Sequence, residues 1–124
     1  MRQIKFRAWH RGIPKRFRYS GNPAQMLYDE KPGECLIFLN QGQDIEDVMQ
    51  FTGIRDTNGK EIYEGDIVKD GNLLQKVYYD EEEAAFKVKC INCHDETGSF
   101  LRYWKGEVIG NIYENELLKD GKNE

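Results

Sequence analysis

The sequence predicts a mainly β protein: a small SH3-like barrel with an N-terminal β segment packed on it. Three observations lead there. Glycine-type bends at Gly53, Asn58-Gly59 and Gly65-Asp66 recur at intervals of about six residues, the length of one short strand. Seven Tyr, six Phe and two Trp favour strands as the carriers of the core. Many short apolar stretches are separated by turn signals, the pattern of a barrel or sandwich.

The elements follow in order. Ile4, Phe6 and Ala8 alternate with Lys5, Arg7 and Trp9, which predicts a half-buried first strand with its cations on the wet face. Arg11-Gly12-Ile13-Pro14 reads as a turn and Phe17-Arg18-Tyr19 as a return strand. Ser-Gly-Asn-Pro and Lys-Pro-Gly mark loops between Ser20 and Gly33. Between them Ala24 to Tyr28 fits either a helical turn or a strand. Cys35-Leu36-Ile37-Phe38-Leu39 is a continuous apolar run, expected as a central strand. Asp44 to Met49 fits one Asp-capped helical turn or a polar-faced strand. Asn58-Gly59 suits a two-residue type I′ hairpin turn, with Phe51-Thr52 and Ile62-Tyr63 as its strands. Gly65-Asp66 turns the chain into Ile67-Val68, and Asp70-Gly71-Asn72 turns it again. Val77-Tyr78-Tyr79 and Ala84 to Val88 read as paired strands around the acidic turn Asp80-Glu81-Glu82-Glu83, expected as a solvated loop. Cys90 to Gly98 is polar and irregular, Phe100 to Trp104 and Val108 to Tyr113 are the last strands, and Glu116 to Lys119 is a terminal helical turn. The expected division is one domain over residues 1–124: an N-terminal segment to about residue 42, a barrel-like core over about 43–115 and a tail over 116–124.

Three blocks of the chain carry a resemblance. They are Arg2 to Trp9, Gln50 to Val68 and Glu107 to Asn115. In sequence and order they resemble the YopX-like family of phage and prophage proteins. The resemblance implies a small phage-associated protein, β-rich and oligomeric, and supplies no reaction or catalytic residues.

At 124 residues, 39% hydrophobic and 32% charged, the chain reads as a soluble globular domain large enough to bury its own core. No apolar run approaches the roughly 20 residues of a membrane span, and no apolar h-region follows the basic start. These point to the bacterial cytoplasm, as does the odd count of three cysteines. The net charge of −4 is unevenly spread: Arg2, Lys5, Arg7, Arg11, Lys15, Arg16 and Arg18 stand in the first 18 residues without an acid. Such asymmetry fits a nucleic-acid arm, with Trp9 stacking on bases. It also fits a basic strand beside acidic strands of its own or a neighbouring copy, and a chain acidic overall lacks the general footprint of a DNA binder.

Candidate chemistry is sparse. Cys90-Ile91-Asn92-Cys93-His94 matches the haem-attachment string, which needs an exported chain. It also forms half a zinc site that His94, Cys35 or His10 would complete, or a redox dithiol if it opened a helix. The plain reading is two reduced cysteines in or beside a strand or loop. His10, Ser20 and Ser99 form no nucleophilic constellation. Glu64 and Asp66 read as turn residues, with Asp66 expected to bond amides just after the turn. Gly53, Gly59 and Gly65 form no phosphate loop. Trp9, Tyr63, Trp104 and their aromatic neighbours could stack on single strands or peptides, or form core and subunit interfaces. The expectation is a non-enzymatic binding module without cofactor, homo-oligomeric, meeting a host or phage protein through Arg2, Lys5, Arg7, Trp9, Arg11, Tyr63 and Trp104.

Overall fold

The structure, a computed structural model, describes residues 3–12, 24–41, 44–93, 98–101 and 106–114, apart from the side chain of Phe100. The expected strand over Phe17 to Tyr19, the helical turn over Glu116 to Lys119 and most of the expected strand Phe100 to Trp104 lie outside these residues. The chain divides into two compact units, residues 1–51 and 52–124, with the boundary inside one strand.

Unit 1 is a sheet with a helix on it. β1 (Phe6–His10) lies antiparallel between β2 (Gln25–Tyr28) and the first half of β3 (Ile45–Arg55). The Ala24 to Tyr28 and Asp44 to Met49 stretches are thus strands. Helix α1 (Glu34–Asn40) follows Gly33, which takes φ +79° and lets the chain turn sharply into it. The expected central strand over Cys35 to Leu39 is therefore wrong. The physical reason is local: the Asp29 carboxylate accepts the Gly33 N–H at 3.0 Å and the Cys35 N–H at 2.8 Å, satisfying amides of the first turn. The same carboxylate accepts the Phe6 N–H at 3.0 Å, so one side chain ties β1 to the helix start. Cys35 packs with Ala8 and Ile45, and Phe38 supports them.

β1 departs from the expected alternation. Arg7 is 3% exposed and Ala8 0%, so consecutive residues on opposite faces are both covered. Arg7 therefore does not lie on a wet face, although Lys5 keeps partial exposure.

Unit 2 is built from hairpins. The second half of β3 pairs with β4 (Glu61–Tyr63). β5 (Asp66–Asp70), β6 (Leu73–Asp80), β7 (Ala85–Cys90), β8 (Ser99–Phe100) and β9 (Glu107–Asn111) form a curled sheet in the order β8-β7-β6-β5-β9. β6 and β7 pair around the acidic turn as expected, with Tyr79 opposite Phe86 and their rings edge-on at 5.3 Å. In that turn the Asp80 carboxylate accepts the Glu82 N–H at 2.9 Å and meets Lys87 Nζ at 2.9 Å. The core is Ile62, Val68, Val77, Val88 and Leu101, each worth about 1.5–3 kcal/mol by burial.

The Asn58-Gly59 hairpin is not the two-residue type I′ turn. Gly59 N–H donates to Asp56 O at 2.9 Å and Asp56 N–H to Lys60 O at 2.8 Å, enclosing Thr57, Asn58 and Gly59. Only Gly59 takes a positive φ, +82°. This is a three-residue loop with a glycine bulge, which fits the strand twist with one left-handed residue instead of two.

Candidate functional site

The tip of the β3–β4 hairpin is organised by Asp56, which is 7% exposed. Its Oδ1 accepts the N–H groups of Asn58 at 2.8 Å and Lys60 at 2.9 Å, which fixes the loop. Its Oδ2 accepts the Val108 N–H of β9 at 2.8 Å. Thr57 adds two bonds to Gly106 O, from its N–H at 3.1 Å and its hydroxyl at 2.9 Å. Asn58 Nδ2 reaches Glu107 Oε2 at 3.3 Å. Burial pushes the Asp56 pKa up, but the three backbone donors and the nearby Lys60 charge outweigh it, so the carboxyl sits below its ordinary value.

A cleft of about 290 Å³ opens beside this junction, lined by Thr57, Asn58, Lys69, Gly71, Gly106 and Glu107. Lys69 and Glu107 face each other across the β5–β9 ladder. Lys69 has no ion-pair partner among the described residues, so the cleft presents a cation, a carboxylate, an amide and backbone polar groups. Such groups hold a small polar ligand or a peptide main chain by hydrogen bonds and charge.

The remaining polar residues of the neighbouring strands serve the backbone. Thr52 Oγ1 donates to Ile62 O at 2.8 Å. Asp66, 1% exposed, accepts the Tyr63 N–H at 2.8 Å, so its carboxylate reaches back across the turn to the end of β4. Asn111 Oδ1 accepts the Tyr113 and Glu114 N–H groups at 2.9 and 2.8 Å.

The residues singled out in the sequence are scattered. Arg2, Lys15, Arg16, Arg18, His94 and Trp104 lie outside the described residues. Lys5 Nζ stands 5.6 Å from the Phe51 ring centroid, a cation–π distance. Arg7 and Tyr63 are buried at 3% and 4% exposure and offer no surface to a partner. Trp9 sits half-buried in β1, opposite Met26 and Asp47. Arg11 reaches Asp44 Oδ1 at 3.4 Å and Ile45 O at 3.1 Å. His10 Nδ1 accepts the Gly12 N–H at 2.9 Å.

The cysteines separate into two environments. Cys35 is buried at 0% exposure, its Sγ 3.5 Å from Leu27 O, and burial with the Asp29 charge pushes its thiol up to about 12. Cys90 and Cys93 are joined as a disulfide, which corrects the reading of two reduced thiols. They stand at a strand end and its following bend, not at a helix start. No group of three metal-ligating side chains occurs among the described residues.

Sequence reasoning overlooked Asp56, Asp29, Lys69 and Glu107. Asp56 was readable in part, because Asp two residues before Asn58 is a turn-closing signal. Its bond to Val108 joins segments far apart in sequence and leaves no local trace.

The known proteins speak to family and fold. A family model described as YopX protein matches residues 5–119. A solved structure described as protein EF1440 from Enterococcus faecalis is 21% identical, with TM-score 0.50, covering 95% of this chain and 99% of that one. At that identity the likeness shows the fold alone. No curated protein matches the chain.

Proposed function

This chain belongs to the YopX family, and from that premise we propose a non-enzymatic binding module that works as an assembly of identical copies. The observation that carries the reading is the outer face of α1. Leu36, Ile37 and Leu39 are 44%, 52% and 49% exposed, on a helix whose only buried residue is Cys35. Leaving three large aliphatic side chains in water on seven residues is costly unless another surface covers them. In the same unit β2 has one strand neighbour among the described residues, β1, and a strand edge of that kind can accept a further strand. A second copy fits best, because a basic start and an acidic remainder make the chain complementary to itself.

The polar residues of the hairpin block support the same conclusion. Asp56, Asp66 and Thr52 are engaged with backbone groups, so folding accounts for their pattern. The polar cleft then serves recognition, as a place for a partner's polar side chain or main chain. The finer architecture we propose for unit 2 is an SH3-like barrel, supported by the curled sheet and its short antiparallel strands. We place the work in the cytoplasm, toward a phage or host protein. No helix among the described residues is long and apolar enough to cross a membrane.

Sedimentation equilibrium of the wild type and Ile37→Lys tests this. The wild type self-associates, and the variant, with an unchanged far-ultraviolet circular dichroism spectrum, moves toward the 14.6 kDa chain mass. Equal association of both removes α1 as the contact. A monomer that binds DNA with steep salt dependence replaces the reading with a nucleic-acid one.

A further inference from the structure

We propose that Cys90 and Cys93 are a reversible thiol–disulfide pair that clamps one wall of the polar cleft. Cys90 ends β7 and Cys93 lies in the exposed bend after it, with their Cα atoms 6.0 Å apart and their sulfurs joined. That separation lies within the range a disulfide spans. Between them, Asn92 folds back onto the β5–β6 turn. Its Nδ2 donates to Asn72 O at 2.9 Å and its Oδ1 accepts the Leu74 N–H at 3.1 Å. The Ile91 N–H donates to Leu74 O at 2.8 Å. That turn contains Gly71, held at φ +60°, and Gly71 lines the cleft beside Lys69.

The connection is therefore short and continuous. The disulfide closes a loop of two intervening residues, one of which is the side chain gripping the turn. In the disulfide form few loop conformations remain, and Asn92 is held over Asn72 and Leu74. In the dithiol form the loop regains freedom, and ordering it costs part of what those bonds contribute. The redox state of the pair sets how firmly the Gly71 wall is held.

The chemistry balances with a low-molecular-weight disulfide such as oxidised glutathione. The Cys93 thiolate, the more exposed of the two, attacks one glutathione sulfur and forms a mixed disulfide, releasing one glutathione thiolate. The Cys90 thiolate then attacks Cys93 Sγ, forming the intramolecular bond and releasing the second glutathione. The two protons lost by the cysteines pass through solvent to the two released thiolates. The protein gives up two electrons and the glutathione disulfide takes them. Cys35 stays out of the exchange because no solvent reaches it.

The test uses the full chain, equilibrated in glutathione buffers of graded ratio, then denatured, alkylated and weighed by mass spectrometry. One alkylated cysteine, Cys35, is expected at the oxidising end and three at the reducing end, joined by one two-electron step. Cys90→Ser is expected to trap glutathione on Cys93. Amide hydrogen exchange then reads the clamp: Leu74 and Ile91 exchange about tenfold faster in the dithiol form. In Asn92→Ala the disulfide still forms, while Leu74 exchanges fast in both forms. Three alkylated cysteines at every ratio overturn the pair. Equal exchange in the two forms, or a redox-dependent Leu74 in Asn92→Ala, overturns the clamp.

Discussion

Replacing Asp56 by alanine removes one carboxylate and leaves three backbone donors without their acceptor. The losses are unequal. Val108 lies in β9 and is half-buried, so its orphaned N–H forfeits a charge-assisted bond worth about 1.5–3 kcal/mol. Asn58 and Lys60 lie at the exposed hairpin tip, where water replaces the carboxylate at a cost of about 0.5 kcal/mol each. The sum is about 3 kcal/mol. In urea, with a slope of about 2 kcal/mol per molar, the unfolding midpoint falls by about 1.5 M. Asp56→Asn keeps an acceptor for the loop but turns its NH₂ toward a donor, at Val108 or at the tip, and is expected to lose about two thirds as much. The pH dependence follows from the lowered folded-state pKa. A carboxyl depressed on folding contributes stability that is present above its unfolded value, about 4, and is lost as pH falls through the folded value. The wild type thus loses this contribution below about pH 4, and Asp56→Asn lacks that part of the acid slope. A midpoint for Asp56→Ala within about 0.2 M of wild type, or identical acid slopes, refutes the junction as a structural tie.

Other substitutions have separate readouts. Ile62→Ala, at 0% exposure in the unit 2 core, is expected to cost about 2–5 kcal/mol by urea unfolding, and less than 1 kcal/mol contradicts the core assignment. Gly59→Ala meets no atom within 4 Å, so its cost is the left-handed backbone alone, about 1–2 kcal/mol, and Gly59→Asn costs less; thermal unfolding that ranks them the other way refutes the loop geometry. Lys87→Met removes the largest influence holding the Asp80 pKa down, so an NMR titration of Asp80 moves upward toward the ordinary carboxylate value. An unmoved titration means that the pair does not persist in solution.

The fold was legible where turn chemistry is local. Asn58-Gly59, Gly65-Asp66 and Asp70-Gly71-Asn72 each mark a real reversal, because glycine at positive φ is a backbone requirement that a single residue declares. The turn type was less legible: Asn58 permits a left-handed conformation without requiring it, and Gly59 alone takes it. Helix α1 was missed because five consecutive apolar residues read as a buried strand. An apolar run counts burial before it counts period, and here only Cys35 is fully covered. The preceding Lys-Pro-Gly and the acid Glu34 at the first helical position were the available signals. Arg7 misled for the opposite reason. A cation in an alternating strand is expected outside, yet both faces of β1 are covered in this fold. The cleft was illegible because its walls come from the hairpin tip, the β5–β6 turn and the start of β9, which only the sheet order brings together.

The central proposal is that this YopX-family chain works by contact between identical copies. Static light scattering of the wild-type protein at micromolar concentration tests it most directly. The account predicts a mass that is a whole multiple of 14.6 kDa, two or more. A mass of one chain, unchanged as the concentration rises, contradicts it.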